Sequence, residues 1–455
     1  MEQSNSYRTQ SRVSEHSGLS RVREAAKKDG KLRFTALLRH VTVERLRDSY
    51  YSLKKQAAPG ADGVTWEEYG RDLEVRLQDL HQRVHRGVYR AQPSRRVLIP
   101  KPDGRQRPLG VAALEDKVLQ HAIGTVLNQV WEEDFLGFSY GFRPGRSQHD
   151  ALDALYVGIK RKRVSWVLDL DIRAFFDTID HAWMVQFIEH RIGDRRIVRL
   201  LQKWLKAGVL EQGRWSETEQ GTPQGSVISP VLANLYLHYV LDLWVNHWRR
   251  QKATGEVMIV RYADDAILGF QTRGDAERFL AECRERLGKF GLELHPEKTR
   301  LIEFGMYAAE RRNKRGEGKP ETFDFLGFTH FCGTNRKTGQ FEISRKTIGK
   351  RMTAKLKEIA AKLRQRLHES IGDNLKWLQS VVRGYFQYHA VPGNWKRLKE
   401  FRENVLWLWH RTLRRRSDRT RWTWDRFRKL LVDQIPEVRI LHPFPNVRFD
   451  AKYSR

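Results

Sequence analysis

Cysteine is scarce in this chain: its 455 residues include two, Cys283 and Cys332. Two thiols build neither a disulfide framework nor a four-cysteine zinc site, so the sequence predicts a protein of the reducing cytoplasm with no cysteine-held zinc nuclease module. No apolar run is long enough to span a bilayer, and Met1–Leu19 is polar, without the apolar core of a signal peptide. Neither a membrane segment nor secretion is therefore expected. An internal repeat and a Walker-type phosphate loop are also missing, which excludes solenoids and P-loop nucleotide hydrolases. Acidic residues are outnumbered, 55 Asp plus Glu against 84 Lys plus Arg, for a formal net charge of +29. An excess that large makes a polyanion the default partner, nucleic acid first among them, and predicts association with the nucleoid.

What is present is enough to fold. Forty per cent of residues are apolar and 11% aromatic, and the length predicts two or three domains. Periodicity predicts helices over 34–55, 66–85 and 113–131, with a loop at 57–63 and a strand over 95–100 followed by a turn at 101–104. Strands are expected at 165–171, 256–263 and 266–270 and around 322–331, with helices over 229–248 and 275–290 between them. This mixture reads as an α+β sheet domain over residues 95–335. Residues 305–320 read as a charged loop. Past residue 345 the chain turns helical and basic, with helices expected over 350–368, 373–387 and 396–416. There Arg383, Tyr385, Tyr388, Trp395, Trp407 and Trp409 interleave aromatic and basic side chains, and Arg414, Arg415 and Arg416 form a cationic run. Such a composition suits base stacking and phosphate contact. It equally suits a solvated bundle with its Trp residues in the core.

Chemistry concentrates at Tyr262-Ala263-Asp264-Asp265, between the apolar runs Val257–Val260 and Ala266–Leu268. This is a strand–turn–strand pattern with two acids at the tip. Adjacent carboxylates repel, and a fold keeps them together where a hard divalent cation neutralises them. The alternative is an ordinary solvated hairpin turn. A second apolar strand, Val164–Ile172, ends in acid, and Asp169 and Asp171 share one face, so either could be a ligand. Two-metal phosphoryl transfer needs such carboxylates converging from separate strands. Between the two segments lies Gln220-Gly221-Thr222-Pro223-Gln224-Gly225, an irregular backbone that lets a base or sugar approach. Ser229 and Pro230 then read as a helix N-cap and first-turn proline.

With those segments in view, from about Ala57 onward the chain resembles the reverse transcriptases of the group II intron-encoded, or maturase, type. The resemblance is carried by Ile99–Leu109, Tyr140–Ser147, Asp171–Phe176, Gly221–Gly225, Tyr-Ala-Asp-Asp at 262–265, Leu294–Thr299, Phe325-Leu326-Gly327-Phe328, and a helical segment around Arg383–Tyr388. It implies a right-hand polymerase: an N-terminal extension and first finger elements over 1–94, fingers and an antiparallel palm over 95–335, and a helical thumb, or domain X, with a tail over 345–455. It also implies that Asp171 and Asp264 bind two Mg2+ ions, with Mn2+ as a substitute, assisted by the Ile172 carbonyl and with Asp265 essential beside them. Phe176 matches a steric gate against the ribose 2′-hydroxyl. Lys101 and Arg107 match residues that grip the incoming triphosphate, and Gln224, Gly225, Tyr262 and Ala263 match the nucleotide pocket. Lys298 matches a lysine near the leaving pyrophosphate, a proton donor by position. Arg143, Arg383, Tyr385, Arg414, Arg415 and Arg416 are the nucleic-acid contacts expected on this reading. The implied partners are structured intron RNA, an RNA template with a DNA primer or target DNA, and deoxynucleoside triphosphates; the oligomeric state is left open. One departure is the missing cysteine-bearing endonuclease module. Two alternatives stay open: a maturase that folds RNA with its polymerase site unused, and a related enzyme recruited to defence or repair.

Overall fold

Four short apolar segments build the central sheet, in the order Val257–Tyr262, Asp265–Phe270, Trp166–Leu170, Arg300–Glu303, each antiparallel to its neighbour. Side chains alternate across a strand, so each strand serves two faces. Leu168, Leu170, Ile259 and Leu268 pack into one core, shared with the long helix Leu114–Asp134. Val167, Met258, Val260 and Ile267 pack into another, shared with the helix Gln148–Arg161 and the phenylalanines Phe323, Phe325 and Phe328. Covering on both sides explains why these strands read as continuous apolar runs in the sequence.

The computed structural model of the chain describes residues 18–100, 106–211, 214–216, 220–222, 225–335, 338–416 and 422–453. Its architecture is α+β. A second sheet joins Gln106–Val111, Ser94–Pro100, Val209–Glu211 and Arg214–Ser216, and a third joins Phe341–Thr347, Phe328–Thr334 and Phe323–Phe325. Helices Gly349–Gln365, Ile371–His389 and Trp395–Arg414 close a separate core around Ile359, Leu378, Val382, Phe401, Val405 and Trp409.

Several elements differ from the sequence-based expectation: the helix expected over 34–55 is a 3-10 turn at Leu38–His40 and a helix over Val43–Ser52, and the strand expected around 322–331 is two, Phe323–Phe325 and Phe328–Thr334. The helix expected over 66–85 is two, Trp66–Arg71 and Leu73–His85, broken at Asp72 where ψ is 38°. The helix expected over 229–248 runs Ser229–Gln251 but passes through a π-helical turn at His238–Asp242. The charged stretch 305–320 contains a helix, Ala308–Lys314. Strand Phe341–Thr347 was not expected, because its buried positions are Ile343, Arg345 and Thr347, and a buried arginine disguises the apolar alternation.

The last helix, Pro445–Tyr453, leaves the helical bundle and lies on Gln148–Arg161, with Phe449 and Tyr453 packed against the second core. Arg448 grips the buried carboxylate of Asp153 through Nε and, at 3.0 Å, Nη2, and Lys452 Nζ reaches Asp150 at 2.7 Å. Truncating Arg448 to Ala leaves Asp153 with Arg345, 3.9 Å away, as its remaining cation. The expected result is a loss of about 2 kcal/mol in urea unfolding. Asp450→Ala, which breaks a solvent-exposed pair with Arg161, should cost at most about 1 kcal/mol. Equal losses from the two would refute the anchoring role of Asp153.

Candidate active site

The hairpin pairs Tyr262 with Asp265, so Ala263 and Asp264 are the two turn residues and Asp265 opens the returning strand. Ala263 has a φ of +56°, a left-handed conformation that costs a residue with a Cβ about 1 kcal/mol and persists only when the surroundings enforce it. Across the sheet, strand Trp166–Leu170 ends just before Asp171. The Asp171 carbonyl accepts the His295 amide at 2.8 Å, and Ile172 bridges to Leu294, so the segment 293–295 fixes the backbone of the second acid. Asp169, one pleat earlier, stays within the ladder and faces Arg300 at 3.8 Å.

Phe176 sits on the short helix Phe175–Thr178 directly beyond this acid. Phe175 is buried and anchors that helix, while the ring of Phe176 stays half-exposed, packed edge-on against it at 5.3 Å. The glycine-containing segment lies against the same helix: the Phe176 carbonyl accepts the Thr222 amide at 2.8 Å, and a Cβ on Gly221 would come within 2.7 Å of that carbonyl oxygen. Gly225, with φ +110°, approaches the Gly110 carbonyl so closely that a Cβ would sit 2.9 Å from it. Glycine is what allows this loop to bridge the short helix and the second sheet.

These pieces share one cleft of about 520 Å³. Asp264, Asp265, Tyr262 and Ala263 form one wall, Phe176 and Gly225 another, and Leu109 comes from the second sheet. Leu326, Arg351 and Tyr388 also line it. The Tyr388 hydroxyl donates to the Leu326 carbonyl at 2.7 Å, tying the third sheet to the helical bundle at the cleft edge.

The electrostatics are those of a cation site. Asp265 opens onto the cleft yet lies deep among protein atoms; burial, Asp264 and Asp171 push its pKa up to about 6, against the pull of Arg351 and Lys298. Burial pushes Asp169 up to about 7, with Asp265 and Asp171 adding to the effect and Arg300 opposing it. Lys298 Nζ lies 3.2 and 3.3 Å from the two oxygens of Asp171, partly neutralising it. Among the described residues no three His, Cys, Asp or Glu side chains are gathered tightly enough to hold a metal alone. Mutually repelling carboxylates beside a backbone carbonyl are nevertheless the donor set a hard divalent ion takes when water and substrate phosphates complete its shell. The residues present fit such an ion.

Residues 99–330, just over half of the chain, match the family described as reverse transcriptase (RNA-dependent DNA polymerase). Protein YkfC of Escherichia coli is 34% identical over 331 residues, 64% of this chain and 87% of that protein. The group II intron-encoded protein LtrA of Lactococcus lactis is 36% identical over 202 residues, 43% of this chain and 33% of LtrA. A 91 kDa protein in the cob intron of Schizosaccharomyces pombe is 28% identical over 393 residues, 71% of this chain and 46% of that protein. The chain belongs to the reverse transcriptase family.

Within this reverse transcriptase Asp264, Asp265, Phe176, Tyr262, Gly225 and Ala263 line one cleft, while Asp171, ion-paired with Lys298, is not among the lining residues and acts on Asp265 through its charge. Lys101 and Gln224 lie outside the described residues, as does the side chain of Arg107. Two expected nucleic-acid contacts are corrected. Arg143 is buried and ion-paired with Glu132 at 3.0 Å, and it also donates to the carbonyls of Leu136 and Ser139, so its guanidinium is a structural clamp. Tyr385 is buried and stacked on Phe401 with ring centroids 3.5 Å apart. By contrast Arg383, Arg414 and Arg415 are exposed and Arg416 is half-buried. The helix expected to be capped by Ser229 begins there, with Ile228 at the cap position. Sequence reasoning missed Arg351. Its signal was faint, a basic residue a few positions after a strand, visible only once the third sheet turns that helix toward the cleft.

Proposed function

We propose that the protein is an RNA-directed DNA polymerase that binds its group II intron RNA and assists splicing and mobility by target-primed reverse transcription. The observation that carries this reading is the single cleft in which the Asp264-Asp265 tip faces the Phe176 ring. A primer 3′-hydroxyl attacks the α-phosphate of a deoxynucleoside triphosphate, and pyrophosphate leaves. Two Mg2+ ions, held by Asp171 and Asp264 with the Ile172 carbonyl and with Asp265 beside them, would activate the attacking oxygen and neutralise charge on the phosphates. Phe176 excludes a 2′-hydroxyl by bulk. Lys298, ion-paired with the Asp171 carboxylate, would donate a proton to the departing pyrophosphate. Gly225 adds no side chain of its own to the cleft lining.

RNA binding rests on the helical bundle and the net charge. Trp395 and Trp407 are exposed, each with a cation four residues on lying over its ring, Lys399 at 5.6 Å and Arg411 at 5.3 Å. Exposed aromatic and cationic pairs of this kind offer stacking to unpaired bases and charge to phosphates.

Primer extension tests the polymerase reading. The chain with Mg2+, an RNA template, a DNA primer and deoxynucleotides should lengthen the primer; an RNA-binding chain that never extends it would be a maturase alone. Intron RNA affinity should fall with added salt, with a log–log slope steeper than about −4, because many phosphates are neutralised. A flat response in filter binding would contradict the role given to the basic surface.

A further inference from the structure

We propose that Arg261, clamped by Asp242, is a positioning residue that sets the conformation of the Ala263-Asp264 turn and hence the place of the Asp264 carboxylate. The proposal rests on the polymerase reading of the cleft and adds to it a residue pair that never touches substrate.

Arg261 lies in the strand leading into the turn and is completely buried, as is Asp242. The two form a fork: Nε to Asp242 Oδ1 at 2.7 Å and Nη2 to Oδ2 at 2.6 Å. The remaining donors are also used. Nη2 reaches Ser139 Oγ at 2.7 Å, and Nη1 reaches Asn234 Oδ1 at 3.2 Å and the Ala263 carbonyl at 2.8 Å. That last bond is the informative one. The Ala263 carbonyl belongs to the peptide plane that continues into the Asp264 amide, so holding its oxygen fixes the rotation of that plane. The direction in which Asp264 projects its carboxylate depends on that rotation. A turn residue at positive φ with a Cβ needs such enforcement.

Two further observations converge on the same turn. Residues 138–141 run alongside the strand: Tyr140 N donates to the Arg261 carbonyl at 2.8 Å and Arg261 N to the Phe138 carbonyl at 2.9 Å. A Cβ on Gly141 would lie 2.3 Å from the Ala263 amide nitrogen, so this strap presses on the back of the turn, and Asn234 Nδ2 holds the Gly141 carbonyl at 2.6 Å. Asp242 itself ends the π-helical turn His238–Asp242. The extra residue in such a turn rotates the remainder of the helix by about 100°. A single regular helix would direct position 242 elsewhere. A buried ion pair is a poor stabiliser compared with apolar packing of similar volume. Its use here, with every donor aimed at the turn and its supports, points to geometry.

Arg261→Lys keeps the charge but cannot hold Asp242, Ser139, Asn234 and the Ala263 carbonyl together. In the full chain this variant should lose about 100-fold in kcat, with the KM for deoxynucleotide changed less than about threefold, as expected for a misplaced catalytic group. Mn2+ binding to the protein alone, followed by electron paramagnetic resonance, should weaken several-fold, while intron RNA affinity stays unchanged. Ser139→Ala removes one bond and leaves the ion pair; it should shift Mn2+ binding and kcat in the same direction by a smaller factor. It decides the matter if Arg261→Lys fails to fold. Normal Mn2+ binding and kcat in folded Arg261→Lys, or in Ser139→Ala if the lysine variant aggregates, would overturn the proposal. An inactive parent chain would instead overturn the polymerase reading beneath it.

Discussion

Replacing Asp264 by Asn should lower deoxynucleotide incorporation by about a thousandfold or more while leaving the protein as stable as before, or more so. The side chain keeps its shape and loses its charge. Asp264 occupies the turn, outside the ladder that ends at Tyr262 and Asp265, so the sheet does not depend on it. Catalysis does, because preorganised charge that holds cations against a transferring phosphoryl group is the largest contribution such a site makes. Stability should respond in the opposite sense. Burial first, then the Asp264 and Asp171 charges, lift Asp265 to about 6. A carboxyl whose pKa is raised on folding binds more protons in the folded state, so stability falls as pH rises from the unfolded value, about 4, to about 6. In Asp264→Asn that fall should shrink. Single-turnover primer extension together with thermal unfolding at pH 4.5 and 7 checks both halves. An activity loss matched by a lower melting temperature at pH 7 would make Asp264 a structural acid.

The site's acids were legible because their surroundings are local. Apolar runs on both sides of Asp264-Asp265 dictate a hairpin, and a two-residue turn is fixed by the register Tyr262 to Asp265. The choice between Asp169 and Asp171 was not legible from the period-two pattern, since both share a face; the family resemblance favoured Asp171. In the structure Asp169 sits within the ladder opposite Arg300, while Asp171 lies past the strand's end. Some side-chain pairing was illegible. Arg143 looked like a phosphate contact because nothing in its neighbourhood announces that Glu132 consumes it. Tyr385 could have been read correctly: with Leu378 and Val382 it stands at helical spacing four and seven residues along one buried stripe. Asp242 and Arg261 also left a trace, an acid in an apolar helix and a cation in an apolar strand. Opposite charges isolated in two buried elements can be satisfied by each other.

Phe176→Ala should raise ribonucleotide incorporation relative to deoxynucleotide by about a hundredfold. The effect depends on the helix staying where it is when the ring is removed. Its backbone is held independently of that ring: Phe175 is buried and packs against Tyr236 with centroids 6.4 Å apart, the Phe176 carbonyl is bonded to Thr222, and Gly221 rests against it. Truncation therefore opens the cleft wall without moving Asp171, five positions earlier in the chain. If Phe176 is the gate, the parent cleft lacks space for one hydroxyl, and a pocket built on sterics alone discriminates by about 10- to 200-fold per small group. Catalysis on deoxynucleotides should fall by less than about tenfold, because the acids are untouched. Phe175→Ala is the contrasting change. It removes a core ring, should cost about 3–5 kcal/mol of stability, and should leave sugar selectivity in the surviving folded fraction close to that of the parent. If instead both truncations relaxed sugar selectivity equally, the discrimination would reside in the position of the helix as a whole, and Phe176 would lose its assignment as the gate.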